Sequence, residues 1–284
     1  MEFLVIQTFN GLSYAALLFL LSGGLTLIFG VMKIVNIAQG SFFLVGGYVG
    51  YTVVSLTGNF YLGFLVACII IGLLGITLEH LLLEDLSNEN LRMMLITMGI
   101  ALFVQDLSLV LWGGNPLNLA VPTYLTRILN IGKFHFLIFR FFMIAAATLL
   151  FMILWWFQKK TRIGSMVRAA VDNPEISEGL GINVTLVKMG VFGLGAALSA
   201  FGGVIACSFM ALYPGLDFEL LPYTFVIVVV GGMGSLTGAL VGSMIVGMID
   251  NFGKALFPQF SYFTLFVPLA LVLAWRPTGL FGRK

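Results

Sequence analysis

The sequence predicts an all-α fold, a polytopic membrane helix bundle with about eight or nine transmembrane segments and a short cytoplasmic coupling helix. Three observations predict it. Of the 284 residues, 60% are hydrophobic and only 9% are charged, with a mean hydropathy of +1.08, whereas soluble domains carry roughly 25% charged residues. The apolar residues fall into runs near the length of about 20 that spans a hydrocarbon core of about 30 Å. The charges, by contrast, gather in one stretch between two of those runs, around RAAVDNPEISEGLGIN at 168–183.

Taken in order, the apolar runs cover 10–32, 38–57, 60–78, 93–112, 134–157 and 186–210. The N-terminal run lacks a basic start and a small-residue cleavage pattern and continues to Met32, so it reads as a retained span. After Pro222 come 222–234, 235–251 and 259–275, the first short enough to be a half-helix or part of a broken span. No linker divides the chain, so residues 1–284 are expected to form a single transmembrane domain. Placing the polar stretch in the cytoplasm puts Lys33, Arg92, Lys159, Lys160, Arg162, Arg168, Lys188, Arg276, Arg283 and Lys284 inside. Arg127, Lys133, Arg140 and Lys254 then lie outside, which follows the positive-inside tendency. With nine crossings the N-terminus is outside and the C-terminus inside; with eight, one end moves. Small residues at four-residue spacing mark close helix packing: Gly234, Gly238 and Gly242, Gly46 with Gly50, and Gly195 with Ser199 and Gly203.

Several chemistries are excluded. No GxxxxGK[ST] loop is present to cradle nucleotide phosphates, and no GxSxG elbow or HExxH helix supports hydrolysis. His80 and His135 have no ligand partners at metal-binding spacing, and Cys68 and Cys207 sit apart inside apolar runs as structural thiols. No cofactor is expected. A net charge of +2 without a basic tail gives no reason to expect a nucleic-acid partner. The spans are nearly free of charge except at Asp106 and Asp250, each of which either lies solvated near an interface or serves a purpose at depth. The energy source for a pathway through this chain therefore lies elsewhere.

The polar segment, about 158–185, holds Lys159, Lys160, Arg162, Arg168, Asp172, Glu175, Glu178 and Lys188 in or beside it. Ile163, Val167, Ala170 and Val171 recur at helical spacing, with Arg168 and Asp172 off that stripe. Asn173 and Pro174 form a cap and first position, Glu175 and Glu178 suit a positive helix start, and Gly181 is placed to stop the helix. Two short helices joined at the Asp172-Asn173 turn are expected. Three roles fit: a solvated loop, an interfacial helix lying on lipid headgroups, or a rigid knob that docks on a cytosolic partner.

At these residues the chain resembles the LivH/LivM-type permeases of branched-chain amino-acid ABC transporters. TRIGSMVRAAVDNPEISEGLGIN carries the likeness at Thr161, Gly164, Arg168, Ala169 and Leu180 to Asn183. VNIAQGSFFLVGGY, LITMGIALFVQDLSLVLWGGNP and GGMGSLTGALVGSMIVGMID extend it over nearly the whole chain. The resemblance implies an importer permease of the prokaryotic cytoplasmic (inner) membrane, working by alternating access. Its partners would be membrane lipid, a second homologous permease subunit, two cytosolic ABC ATPase subunits and an extracytoplasmic substrate-binding protein.

ATPase coupling would then fall to Arg168, Asp172, Asn173, Glu175 and Gly181. Candidates for the translocation path are Asn36, Gln39, the Gly231, Gly232 and Gly234 break, and Asp250, because irregular backbone at membrane depth is tolerated where protein or water covers it. The outer loops 113–133 and 211–222 would face the binding protein, with Asp217 and Glu219 either touching it or simply solvated. Two departures bear on cargo: Gln39 and Ser41 replace the family's His and acidic residue, and Tyr223 stands where branched-chain permeases often have Lys and urea permeases Asp. Branched-chain or other hydrophobic amino acids are the expected substrates. Urea or a short amide is the alternative within the family. An ATP-independent secondary transporter or channel, and a scaffold without flux, are the alternatives outside it.

Overall fold

The computed structural model describes residues 2–33, 36–86, 89–131 and 133–282. Twelve α-helices make the bundle. The first group is α1 (Glu2–Met32), α2 (Gln39–Thr57), α3 (Phe60–Leu78), α4 (Asn90–Trp112) and α5 (Ile138–Lys160). After α6 (Arg162–Asp172) and α7 (Pro174–Gly179), the chain re-enters as α8 (Val184–Phe209), α9 (Leu216–Gly231) and α10 (Leu236–Leu256). The short α11 (Ser261–Thr264) and α12 (Phe266–Trp275) finish it. A small antiparallel hairpin, β1 (Ile128–Ile131) with β2 (Phe134–Leu137), precedes α5, so that span starts four residues later than its apolar run.

Among the described residues, seven helices are long and apolar enough to cross a membrane: α1, α2, α3 with its continuation to Leu83, α4, α5, α8 and α10. The expected eight or nine crossings included two elements that are shorter, α9 with 16 residues and α12 with 10. Pro222 lies inside α9, and α9 ends at Gly231. α11 and α12 bring the chain back to the end of the bundle that carries α6, where the Leu280 amide donates to the Val230 carbonyl at 2.9 Å. The opposite end holds the start of α1, where the Asn251 amide donates to Gln7. Eight of the described Lys and Arg side chains lie toward the α6 end and four toward the other, as the positive-inside tendency requires. Arg283 and Lys284 lie outside the described residues.

α8 is the central post. It is buried over most of its length and packs on α1, α2 and α3. Lipid tails are as apolar as leucine, so these helices associate through backbone proximity and shape. Gly203 faces the Phe43 carbonyl so closely that a Cβ there would overlap it, and Gly46 stands in the same relation to the Ala200 backbone. α1 and α10 run antiparallel along their full lengths, from Ala15 against Gly247 to Gly30 against Gly234. The faces of α3, α4 and α5 away from α8 carry exposed Leu65, Ile69, Leu95, Phe103, Leu149 and Ile153, as suits lipid.

Gly203→Leu should lower thermal stability in detergent by about 1–3 kcal/mol or more, the cost of overpacking a closed contact. Gly99→Leu on α4, where a Cβ meets nothing within 4 Å, should leave the unfolding midpoint within about 0.5 kcal/mol. Equal behaviour of the two variants would contradict the role assigned to the α2–α8 approach.

Candidate functional site

Two places gather the polar residues that an apolar bundle must account for. The first is inside it. α1 ends at Met32, yet α2 starts at Gln39 beside Gly24, in the interior of α1, so residues 36–38 lie back inside the bundle ahead of α2. Non-helical backbone in this setting must find partners within the protein. The Ile37 amide donates to Thr97 Oγ1 of α4 at 3.3 Å, and the Ala38 amide donates to Asn36 Oδ1 at 3.1 Å. Gln39 Nε2 donates to the Gly195 carbonyl at 3.2 Å and also meets Ser199 Oγ, both on α8. Asn36 and Gln39 are fully buried. Each keeps one polar atom, Asn36 Nδ2 and Gln39 Oε1, without a hydrogen-bond partner among the described residues. A donor and an acceptor are thus left open among the described residues where the chain enters α2, and buried polar atoms without a partner are rare in folded proteins.

Next to it, Ser41 Oγ donates to Asp217 Oδ2 at 3.0 Å. Asp217 was expected in an outer loop, solvated or touching a partner. It lies instead in the first turn of α9 at 2% exposure. The reason is local: Gly215 adopts φ +103°, which turns the chain inward and lets α9 begin against Gly40. A carboxylate absent at Ser41 is therefore supplied beside it from another helix. Glu219 is exposed and accepts a 2.7 Å hydrogen bond from Tyr213, whose phenol is pushed up to about 12, first by that bond and then by burial.

The second place is the α6–α7 hairpin. Thr161 caps α6 by accepting from the Gly164 amide at 3.0 Å, while its hydroxyl donates back to the Phe157 carbonyl of α5 at 2.6 Å. Asn173 caps α7 by accepting from the Ile176 amide at 3.0 Å, with Pro174 at the first helical position. Gly181, at φ +85°, closes α7 through its amide to the Glu178 carbonyl at 2.9 Å. Asn183 then caps α8, accepting from Leu186 at 2.9 Å. The two helices and the turn between Asp172 and Asn173 match the sequence reading, but the stripe differs. Gly164, Val167 and Ala170 face the bundle, whereas Ile163 is 56% exposed. Asp172, Asn173, Glu175 and Gly181 are exposed, while Arg168 is half-buried and turned toward the spans.

The remaining candidates separate from both groups. Gly231, Gly232 and Gly234 form the α9–α10 turn at the α6 end, with φ of +101° at Gly232 and +79° at Gly234, against Gly30 and Gly282. Asp250 lies toward the opposite end and is buried, held by Lys254 Nζ at 2.6 Å and Thr264 Oγ1 at 3.0 Å, with Tyr223 OH at 3.4 Å. Its charge is answered within the chain. Asp106 has no such answer: it is exposed on α4, six residues before Trp112, or about 9 Å from the helix end. It borders a hollow shared with Gln105, Tyr213 and Pro214.

Sequence reasoning missed Ser199, Thr97 and Glu79. The sequence marked Ser199 only as a small residue at packing spacing and Thr97 only as part of a family-like segment, with no sign of the polar partner each would meet. Glu79 is fully buried in the π turn Glu79–Leu83 that extends α3, its two oxygens without hydrogen-bond partners among the described residues. Among the described residues no group of three or more His, Cys, Asp or Glu could hold a metal ion.

Comparison with known proteins agrees with this architecture. The family profile described as "Branched-chain amino acid transport system / permease component" matches residues 7–275. The chain is 26% identical to the high-affinity branched-chain amino acid transport system permease protein BraD of Pseudomonas aeruginosa, over 98% of this chain and 95% of that one. It is 27% identical to the permease protein LivH of Escherichia coli over the same shares. To the probable branched-chain amino acid transport permease protein LivH of Methanocaldococcus jannaschii it is 28% identical, over 84% of this chain and 77% of that one. With its full-length match and seven membrane-length helices, the chain belongs to the branched-chain amino-acid transport permease family and is a multi-pass protein of the cytoplasmic membrane.

Proposed function

We propose that this chain is the transmembrane permease subunit of a binding-protein-dependent ABC importer for branched-chain or other hydrophobic amino acids. It pairs with a second permease subunit, receives substrate from an extracytoplasmic binding protein, and takes its motion from two cytosolic ATPase subunits. It hydrolyses no ATP of its own. The observation that carries this reading is the α6–α7 hairpin, a capped, rigid, extramembrane element in a chain that has few other polar projections.

The hairpin's outward face suits a protein partner. Ile163, Met166, Ile176 and Leu180 are exposed beside Asp172, Asn173 and Glu175. Apolar side chains supply contact area there, and the charges supply register more than affinity. Arg168 is half-buried on the side of α6 that faces the spans. Because Asn183 caps α8 directly after Gly181, a push on α7 reaches α8 with little slack. Ser199 on α8 holds Gln39, so the same displacement acts on the interior segment 36–39.

That interior segment is the proposed path lining. Asn36 and Gln39 offer an amide donor and acceptor to the zwitterionic end of an amino acid, and the apolar walls suit its side chain. The Gly231–Gly234 turn sits at the α6 end, where the path would open to the cytoplasm, and Asp250 keeps the outer ends of α9 and α10 together rather than meeting substrate. The loaded binding protein acts by favouring the outward-open state, since a ligand shifts such an equilibrium only through its differential affinity.

Reconstitution with the ATPase and binding-protein subunits should give ATP-dependent uptake of leucine, isoleucine or valine. Accumulation against a gradient by this chain alone, driven by an ion gradient, would sink the assignment. Glu175→Arg and Leu180→Asp should each abolish co-purification of the ATPase subunits and ATP-driven uptake while the spans stay folded; unchanged uptake in both would remove the hairpin's role. Gln39→Leu should reduce uptake about tenfold or more with ATPase recruitment intact, the loss of about 1–3 kcal/mol expected when buried polar partners are left open. Wild-type transport by that variant would place the path elsewhere.

A further inference from the structure

A cavity of about 740 Å³ opens at the α6 end of the bundle, between the hairpin and the spans. One part of its wall is apolar, with Leu27, Val31, Leu154, Val191, Leu194 and Phe281. The rim is cationic, with Lys33 from the end of α1, Lys159 from the end of α5 and Arg168 from α6. Asp172 also borders it, and that residue is already engaged within the protein.

Two details indicate that this is a built site. Arg168 Nη1 is shielded from solvent and has no hydrogen-bond partner among the described residues. A guanidinium nitrogen buried in this way is costly unless something accepts from it. Lys33 adopts φ +54°, the single non-glycine residue with positive φ among those described. That left-handed turn costs an L-residue about 1–2 kcal/mol, and it keeps Lys33 at the rim instead of continuing α1.

We propose that this cavity binds one anionic phospholipid of the cytoplasmic leaflet, its phosphate held by Arg168, Lys33 and Lys159 and the upper part of an acyl chain lying on Leu154, Val191 and Leu194. The apolar wall next to the cations selects a lipid over a free anion. Basic pockets between transmembrane helices on the cytoplasmic side are suited to such headgroups. Since Arg168 belongs to α6, the bound lipid braces the hairpin against α1 and α5, and lipid composition thereby sets how firmly the hairpin is held. The inference depends on the membrane placement of the chain and is independent of its substrate.

The test is native mass spectrometry of the purified chain in detergent, titrated with phosphatidylglycerol and with phosphatidylcholine of the same acyl chains. One phosphatidylglycerol should be retained in preference to phosphatidylcholine, and Lys33→Gln, Lys159→Gln and Arg168→Gln should each lower its retention about fivefold. Leu194→Trp, which keeps every cation and fills the apolar wall, should lower it as well. Equal retention of the two lipids overturns the proposal, as does unchanged retention in the triple variant. Displacement of the lipid by millimolar inorganic phosphate alone would show a simple anion site and overturn the lipid assignment. None of these readouts requires uptake, so they fail or succeed separately from the importer reading.

Discussion

The approach of α8 to its neighbours is the constraint on which the rest of the structure depends. In lipid no hydrophobic force draws helices together, so their association relies on backbone proximity through small residues. Gly193, Gly195, Ala196, Ser199, Ala200 and Gly203 provide this along one helix. Only because α8 presents a nearly bare backbone can α2 begin inside the bundle, with Gln39 bonded to the Gly195 carbonyl. The return of residues 36–38 into the bundle follows from that contact, since α1 has already delivered the chain to the far end before α2 must start.

The same post links the extramembrane hairpin to the interior. α5, α6, α7 and α8 follow one another through three capped junctions, at Thr161, Asn173 and Asn183, and each cap satisfies amides that a frayed helix end would leave open. Stiff junctions transmit displacement, and flexible ones absorb it. The hairpin is therefore mechanically continuous with α8, whereas α1 and α2 are separated by non-helical chain.

How much of this the sequence makes legible depends on the range of the interaction concerned. Local signals are clear: Asn173-Pro174, Glu175 and Gly181 mark α7 and its end through contacts no more than four residues long. The membrane class follows from composition, and the close packing from glycine spacing. Long-range pairing is silent. Nothing near Asp217 in sequence reveals that Gly215 turns it inward to Ser41, 176 residues away. Nothing near Ser199 names Gln39, 160 residues distant. Asp250 looked like an isolated charge in a span; Lys254 one turn later is a local partner, but Thr264 from α11 and Tyr223 from α9 join it only in the folded chain. The glycines at 231–234 read as a break at depth because composition does not say at which end of a helix a turn falls.

Asp106 is exposed on α4 and, among the described residues, has neither a hydrogen bond nor an ion pair. An ionised side chain facing hydrocarbon is expensive, and such groups characteristically face protein or water. Its position near the end of α4, bordering the hollow with Gln105, Tyr213 and Pro214, gives it such a setting.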